Sequence, residues 1–369
     1  MNNDSNALID TLKNNFSTLS SKKVTAGFDG FIDTIIRIIK SKQHGKEPEF
    51  FTSINEFGQY IISKSSGNCS IEYEVINTKL GGNMPITSNA LGNLGVHVNC
   101  IGAFGYPQVR TIFNELSSNC KLYSFTEPGM ATAYEFNDGK VIFGEAKALN
   151  SIGWDELKNI ISLETIIGLF KQCALFCLLN WSEIDTSTDV WKGIVNEVLP
   201  AYKKEEKQIA FFDLSDCSKR SSESITEMLL LLKTLNKFTK VILSLNRNEA
   251  RMIYKIVCDE NIPNDFKNIC TELFKQLEID MLVFHSSDKS FVFTNDGITE
   301  GESFFIKDPL FSTGAGDNFN AGFIAAQLLA LNAKDSLIFA NATAAQYIQS
   351  GLSPQQEDML LFLEQNIKA

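Results

Sequence analysis

An α/β fold, built on a mostly parallel sheet with helices on both faces, is predicted by three observations. From residue 173 onward, short apolar runs alternate with helical stretches, the pattern of strands joined by crossover helices. Glycines cluster where strands should end, in Gly27-Phe28-Asp29-Gly30 and in Gly81-Gly82, and such clusters mark tight turns. A glycine-rich turn at 312–316 opens an apolar helical stretch late in the chain. The 369 residues are read as one α/β domain spanning 1–369, long enough to bury a large core without disulfide staples.

The elements follow in chain order. Residues 5–20 form an amphipathic helix with Leu8, Leu12, Phe16 and Leu19 on one face and Asp4 or Ser5 as its cap. Val24-Thr25-Ala26 is a short buried strand. Residues 40–80 are polar and aromatic; Ser63–Asn68 reads as loop, and 71–80 alternates as a strand. Ser88–Leu94 is helical and closes on Gly95; Val96–Ile101 is a strand. Residues 131–144 form a hairpin about Asn137-Asp138-Gly139. Strands at 173–179, 208–213, 240–245 and 280–284 then alternate with helices at 188–203, 222–235 and 247–257. A late antiparallel pair, 289–294 and 297–306, turns at Asn295-Asp296-Gly297.

Composition excludes several classes. The net charge of −11 opposes a nucleic-acid partner, which would favour a basic face. No run of about 18 apolar residues occurs, so no membrane span is expected. The start MNNDSNALID has no basic segment leading into an apolar one, so no secretory leader is expected. The eight cysteines include no CxxC pair, and Cys173 and Cys177 lie in an apolar run; they read as core thiols of a reducing, cytoplasmic compartment. Three histidines argue against a His-rich metal site.

The chemistry concentrates in Ser312-Thr313-Gly314-Ala315-Gly316-Asp317. Gly314, Ala315 and Gly316 let backbone N–H groups converge at a helix N-terminus, where partial positive charge attracts an anion. Asp317 stands within reach of whatever that anion is attached to. An anion hole beside a carboxylate suits phosphoryl transfer, with the carboxylate taking the proton of an acceptor hydroxyl. The plain alternative is a glycine turn with Asp317 as a helix cap. A dinucleotide fingerprint is incomplete, because Phe319 stands where the third glycine belongs. Walker A and protein-kinase signatures are absent from the sequence.

The stretch 308–323 resembles the second signature of the ribokinase-like (PfkB) carbohydrate kinases. Gly81-Gly82-Asn83 and the helix ending Asn93-Leu94-Gly95 resemble the first signature, a hinge and sugar-contacting helix start. Asn246-x-x-Glu249 matches the family's Asn-x-x-Glu motif, which organises Mg²⁺ and its waters. Phe339–Ala344 resembles the helix bordering the adenine. The resemblance runs from about residue 24 to 352 and implies a three-layer α/β/α sandwich with a mostly parallel central sheet and a small β-sheet lid. The lid would come from insertions at 37–80 and 122–144.

The resemblance implies transfer of the γ-phosphoryl group of ATP to a hydroxymethyl group of a sugar. Asp317 is then the base and Gly314, Ala315 and Gly316 the anion hole. Asn341, Thr313 and Ser287 lie at the nucleotide; Gly81, Gly82 and Asn83 lie at the sugar. Asn246 and Glu249 hold Mg²⁺ through water, which agrees with the taste of a hard cation for carboxylate oxygen. One acid near the first strand's end binds the sugar: Asp29 comes earlier than the commonest family spacing from Gly27, and Asp33 one residue later. Asp33 is the favoured of the two. Otherwise Asn246 is a plain N-cap and Glu249 an exposed helical acid between Arg247 and Arg251. The lid would exclude water and could also join two copies as a homodimer.

Departures from the family pattern narrow the substrate. Ile86 replaces an asparagine that contacts sugar hydroxyls, leaving Asn83 or Asn89 to compensate. Phe311 stands where several members carry an aspartate for a monovalent cation, so potassium activation is not expected. His285-Ser286-Ser287-Asp288 replaces a Thr-x-Gly stretch near the nucleotide. No basic cluster lines the first signature, which favours a neutral sugar over a sugar phosphate. The rival readings are a nucleoside kinase, a non-catalytic sugar-binding regulator and, more distantly, a nicotinamide dehydrogenase.

Overall fold

The computed structural model describes residues 2–258, 261–307, 309–310 and 313–367; Phe311 and Ser312 therefore lie outside the described residues. The strands are β1 (Lys23–Gly27), β2 (Phe31–Ser41), β3 (Glu49–Phe50), β4 (Tyr73–Gly81), β5 (His97–Gly102), β6 (Cys120–Ser124), β7 (Gly129–Phe136), β8 (Gly139–Glu145), β9 (Leu175–Leu178), β10 (Gln208–Asp213), β11 (Thr239–Leu245), β12 (Met281–His285), β13 (Lys289–Thr294) and β14 (Gly297–Glu302). The main sheet has nine described strands in the order β14-β13-β12-β11-β10-β9-β1-β5-β6. Pairing is parallel from β6 to β12 and antiparallel through β13 and β14.

Apolar side chains on both strand faces explain this sheet. In β9, Phe176 and Leu178 enter a core with Trp154, Phe170 and Trp191. Leu175 and Cys177 enter the opposite core with Phe16, Phe323 and Phe339. A strand covered on both sides must be apolar on both, which is why it reads as a continuous apolar run rather than an alternation. The N-terminal helix Asn2–Asn15 continues as a 3₁₀ turn, Phe16–Ser21; Leu8, Leu12, Phe16 and Leu19 are all buried, as their spacing predicts. Among the described residues no helix is long and apolar enough to cross a membrane.

A second, smaller sheet runs β3-β2-β7-β8, with β4 also paired to β2. Its boundaries differ from those expected. It begins at Phe31 rather than near 37, because the chain leaves the main sheet after β1 and enters β2 directly after Gly30. Residues 122–124 are not part of it: β6 pairs with β5 as the edge strand of the main sheet. The hairpin β7–β8 turns at Asn137-Asp138 as expected. A helix, Ile54–Ser63, stands in the stretch read as polar and aromatic; the Ser53 hydroxyl accepts the Glu56 N–H at 3.1 Å to cap it. Phe57 and Tyr60 from this helix pack on Phe51, and Phe57 also on Phe136. Helices Trp154–Ile161, Leu163–Gln172 and Phe266–Leu277 complete one layer. The stretch 188–203 is a helix, Ser187–Gly193, followed by a π turn and a 3₁₀ turn.

Candidate active site

In an open parallel sheet, ligands bind outside the carboxyl ends of the strands. Here β1 and β9 are followed at that edge by Asp29 and Asn180, β10 ends there on Asp213, and β11 is followed by Asn246. Two helices begin facing them. One, Asn83–Asn93, starts directly after Gly82, earlier than the predicted Ser88; Gly82 has φ of 92° and no side chain to cap with. The cap comes from another strand. The Asp29 carboxylate accepts the N–H groups of Asn83 and Met84, each at 2.8 Å, and the Asn180 amide Nδ2 at 2.7 Å. A Cβ at Gly82 would lie 2.7 Å from Asp29 Oδ2, so glycine is required for the carboxylate to approach.

The other helix, Ala315–Leu328, starts at Gly314, whose φ is 95°. A side chain at Gly314 would strike the Tyr347 hydroxyl at 2.7 Å. The first-turn N–H groups of this helix have no intrahelical acceptor, as at any helix start, and Ala315 and Gly316 line a cavity of about 530 Å³. Asn246, Ser287 and Asn341 line the same cavity, with His285, Phe304 and Ala344. Thr313 does not: it is exposed, and its carbonyl accepts the Tyr347 hydroxyl at 2.9 Å. Asn89 is also turned away, its amide oxygen accepting the Ser117 N–H at 2.9 Å. Ser286 is engaged within its own turn with Asp288 and Lys289.

Asp317 lies one residue beyond this cradle. Its Oδ1 is buried without a hydrogen-bond partner among the described residues. Burial raises its pKa well above the carboxylate range, and the negative charges of Asp213, Asp29 and Asp33 add to the rise. The charges of three other carboxylates thus reach it, while Asp317 itself is not among the residues that line the 530 Å³ cavity. Asp33 occupies the start of β2, half-buried, with its carboxylate against Gly81; a Cβ there would overlap it. Burial raises the Asp33 pKa while Lys79, opposite it in the register with β4, lowers it.

Asp213, Asn320 and Asn180 escape the sequence reading. Asp213 Oδ2 accepts the Asn320 amide at 2.7 Å, and Oδ1 accepts the Ser215 N–H at 3.0 Å and the Asn83 amide at 3.3 Å. Asn320 in turn accepts the Ser244 hydroxyl at 2.7 Å. The signal was available: β10 is apolar until it ends on an acid at the ligand-binding edge.

Asn246 and Glu249 form a reciprocal cap. Asn246 Oδ1 accepts the Asn248 and Glu249 N–H groups, while Glu249 accepts the Asn246 N–H at 2.9 Å and its amide at 2.6 Å. Glu249 is only 2% exposed, so it is not the solvated helical acid of the plain alternative. Its pKa is raised well above normal by burial and by the nearby Asp213 and Asp216. A hard divalent cation fits this chemistry, since it would offset the charge of Glu249 and the nearby Asp213 and Asp216. No ready cage of three or more acidic, His or Cys side chains exists among the described residues, so such a cation would keep several waters and phosphate oxygens.

These shifts have a consequence for stability. Burial pushes Asp29 up to about 7 from an ordinary 3.8, so the folded chain binds its proton more tightly than the unfolded one. The associated stability is full below about pH 4 and is lost as pH rises through about 7. Asp213, Asp317 and Glu249 shift in the same direction, each first by burial. The Tm of the ligand-free protein is therefore expected to be higher near pH 5.5 than near pH 7.5. Differential scanning fluorimetry checks this, and a Tm that climbs over that interval contradicts it.

The combination of helical layers on both faces of a mostly parallel sheet and a small second sheet is the ribokinase fold. Ribokinase of Arabidopsis thaliana, solved with ribose and ATP, superposes with a TM-score of 0.63 at 15% identity, covering 93% of this chain and 98% of that one. Adenosine kinase of Sinorhizobium meliloti gives 0.64 at 15% identity, with 93% and 98% covered. The chain belongs to the prokaryotic ketohexokinase family, whose model matches residues 2–366. A ketohexokinase of Haloferax volcanii is 25% identical over 342 residues, 92% of this chain and 90% of that protein. The protein is a carbohydrate kinase, an ATP-dependent phosphotransferase with a sugar as acceptor.

Proposed function

We propose that the chain phosphorylates a ketohexose on a hydroxymethyl group. The reading rests above all on one juxtaposition: Asp317, whose Oδ1 has no hydrogen-bond partner among the described residues, directly follows the cradle of Gly314, Ala315 and Gly316 and feels the charges of Asp29, Asp33 and Asp213. The amides hold phosphate oxygens at the mouth of the nucleotide cavity, with Asn341 and Ser287 on its walls. Asp317 takes the proton of the sugar hydroxyl, and the freed oxygen attacks the γ-phosphorus in line. Asp33, Gly81, Gly82 and Asn83 hold the sugar, while Asp29 fixes the helix start from behind. Asn246 and Glu249 position Mg²⁺ through water. When bound, Mg²⁺ supplies charge neutralisation on the phosphates.

The clustered carboxylates favour a neutral sugar, because a second phosphate there would meet like charge. The smaller sheet serves as a lid that excludes water, a competing acceptor. Exposed apolar side chains on its edge strands, Val75 and Ile76 of β4 and Ile142 and Phe143 of β8, support a homodimer through the lid. Eight free cysteines support a reducing, cytoplasmic setting, and the net charge of −11 leaves no nucleic-acid partner in this reading.

The test is Mg²⁺-dependent ATP consumption against ketohexoses, aldohexoses, pentoses and nucleosides. Fructose or another ketohexose is expected to give the highest kcat/KM. Turnover of adenosine or inosine without turnover of any ketohexose would overturn the reading in favour of a nucleoside kinase.

A further inference from the structure

The nucleotide cavity has one permanently cationic wall residue among the described residues that line it, Arg247. A second guanidinium, Arg251, lies 4.9 Å from the Phe266 ring centre but does not line the cavity. Lys289 and Lys267 are both engaged by Glu300, at 2.6 and 3.5 Å. The inner end of the crevice carries Asp29, Asp213, Asp317 and Glu249, which oppose a polyanionic ligand. Arg247 itself is turned outward. Its Nη2 donates to Asp288 Oδ1, the same oxygen that accepts the Ser286 hydroxyl at 2.8 Å, and its guanidinium lies 5.4 Å from the Phe266 ring centre. Arg247 also lines a second, shallow cavity of about 230 Å³ shared with Asp288 and Phe266. Its side chain thus forms the wall between the two cavities.

Two features make this pair more than a surface contact. Both partners are substantially exposed, 45% and 59%, and an ion pair so exposed adds little to fold stability. Arg247 is also the first residue of the helix Arg247–Val257, directly after Asn246, so its head can reach the cavity by side-chain rotation alone. A guanidinium binds phosphate oxygens in a planar, two-pronged geometry. We propose that Arg247 binds the phosphates of the nucleotide, and that Asp288 competes for it and holds it outside until the nucleotide enters. Asp288 therefore weakens nucleotide binding and favours nucleotide release. This inference rests on the nucleotide reading of the cavity.

The experiment measures Kd for ATP, ADP and adenosine by calorimetry on the full-length protein. Arg247→Gln is expected to weaken ATP and ADP by about tenfold, the loss of one charge-assisted hydrogen-bonding group, while adenosine is unaffected. Asp288→Asn is expected to tighten ATP and ADP several-fold, and the double variant to match Arg247→Gln alone. Equal weakening of ATP and adenosine in Arg247→Gln would overturn the proposal, as would weaker ATP binding in Asp288→Asn. Ala344→Trp, which fills the cavity, tests the parent reading separately: it is expected to abolish binding of all three. If it leaves ATP binding intact, the cavity is not the nucleotide site and the proposal falls with it.

Discussion

Asp317→Asn is expected to lower kcat by about 10²- to 10⁴-fold, the range lost when a positioned general base is removed. The amide keeps the shape of the carboxylate but cannot take a proton. ATP binding should persist, because the cradle is built from backbone N–H groups of Ala315 and Gly316 that the substitution does not touch. Stability should move the other way. Asp317 is held in its charged form only against burial and against Asp213, Asp29 and Asp33, so a neutral side chain removes a like-charge conflict. A variant with a higher Tm at neutral pH, retained ATP affinity and almost no turnover is the expected result. Turnover near that of the wild type would remove Asp317 from the reaction; loss of ATP binding together with turnover would point to a structural role instead.

What the sequence discloses about this site depends on how local each feature is. The cradle and Asp317 occupy consecutive positions, so their grouping can be read without knowing the fold. Asn246 and Glu249 are three apart and cap one helix, which makes them equally readable. Asp29, Asn180, Asp213 and Asn320 meet only because three strands end, and the helix Ala315–Leu328 begins, at one sheet edge. Nothing in their spacing announces that meeting. Tyr347, which backs Gly314, lies within the helix Ala333–Ser350 and reads there as an ordinary packing residue.

The same logic holds for the fold. The covered strands β9 to β12 are continuous apolar runs, and they are legible because both of their faces are buried. The second sheet is thin, and its small core contains Ile38, Phe51 and Phe136, so its strands carry a weak pattern and its boundaries shift. The helix Ile54–Ser63 did leave a trace. Ser53-x-x-Glu56 has the residue spacing of a helix-start box, although the Glu56 carboxylate reaches back to Thr52 rather than to Ser53.

The two acids near the first strand should separate cleanly by experiment. Asp29 is fully buried and spends its oxygens on two backbone N–H groups and one amide. Among the described residues no side-chain hydrogen bond engages the Asp33 carboxylate, which feels Lys79 by charge alone. In Asp29→Asn, one carboxylate oxygen becomes an NH₂ group facing a donor. Asn180 can turn its amide, since its Oδ1 is buried without a partner, but the backbone N–H of Asn83 or Met84 cannot turn. One buried donor is then left unmet, at a cost of about 1–3 kcal/mol. The start of the helix Asn83–Asn93 loosens, and with it the Gly81-Gly82 junction from which β4 enters the second sheet. Lower Tm is the primary expected effect, with lost activity following from it. Asp33→Asn should do the reverse, leaving Tm nearly unchanged and raising KM for the sugar about tenfold through a weakened carboxylate–hydroxyl contact. If Asp29→Asn instead raised KM for the sugar at unchanged Tm while Asp33→Asn did nothing, the assignments would have to be exchanged. The buried carboxylate would then be reaching the substrate through the same helix start that it caps.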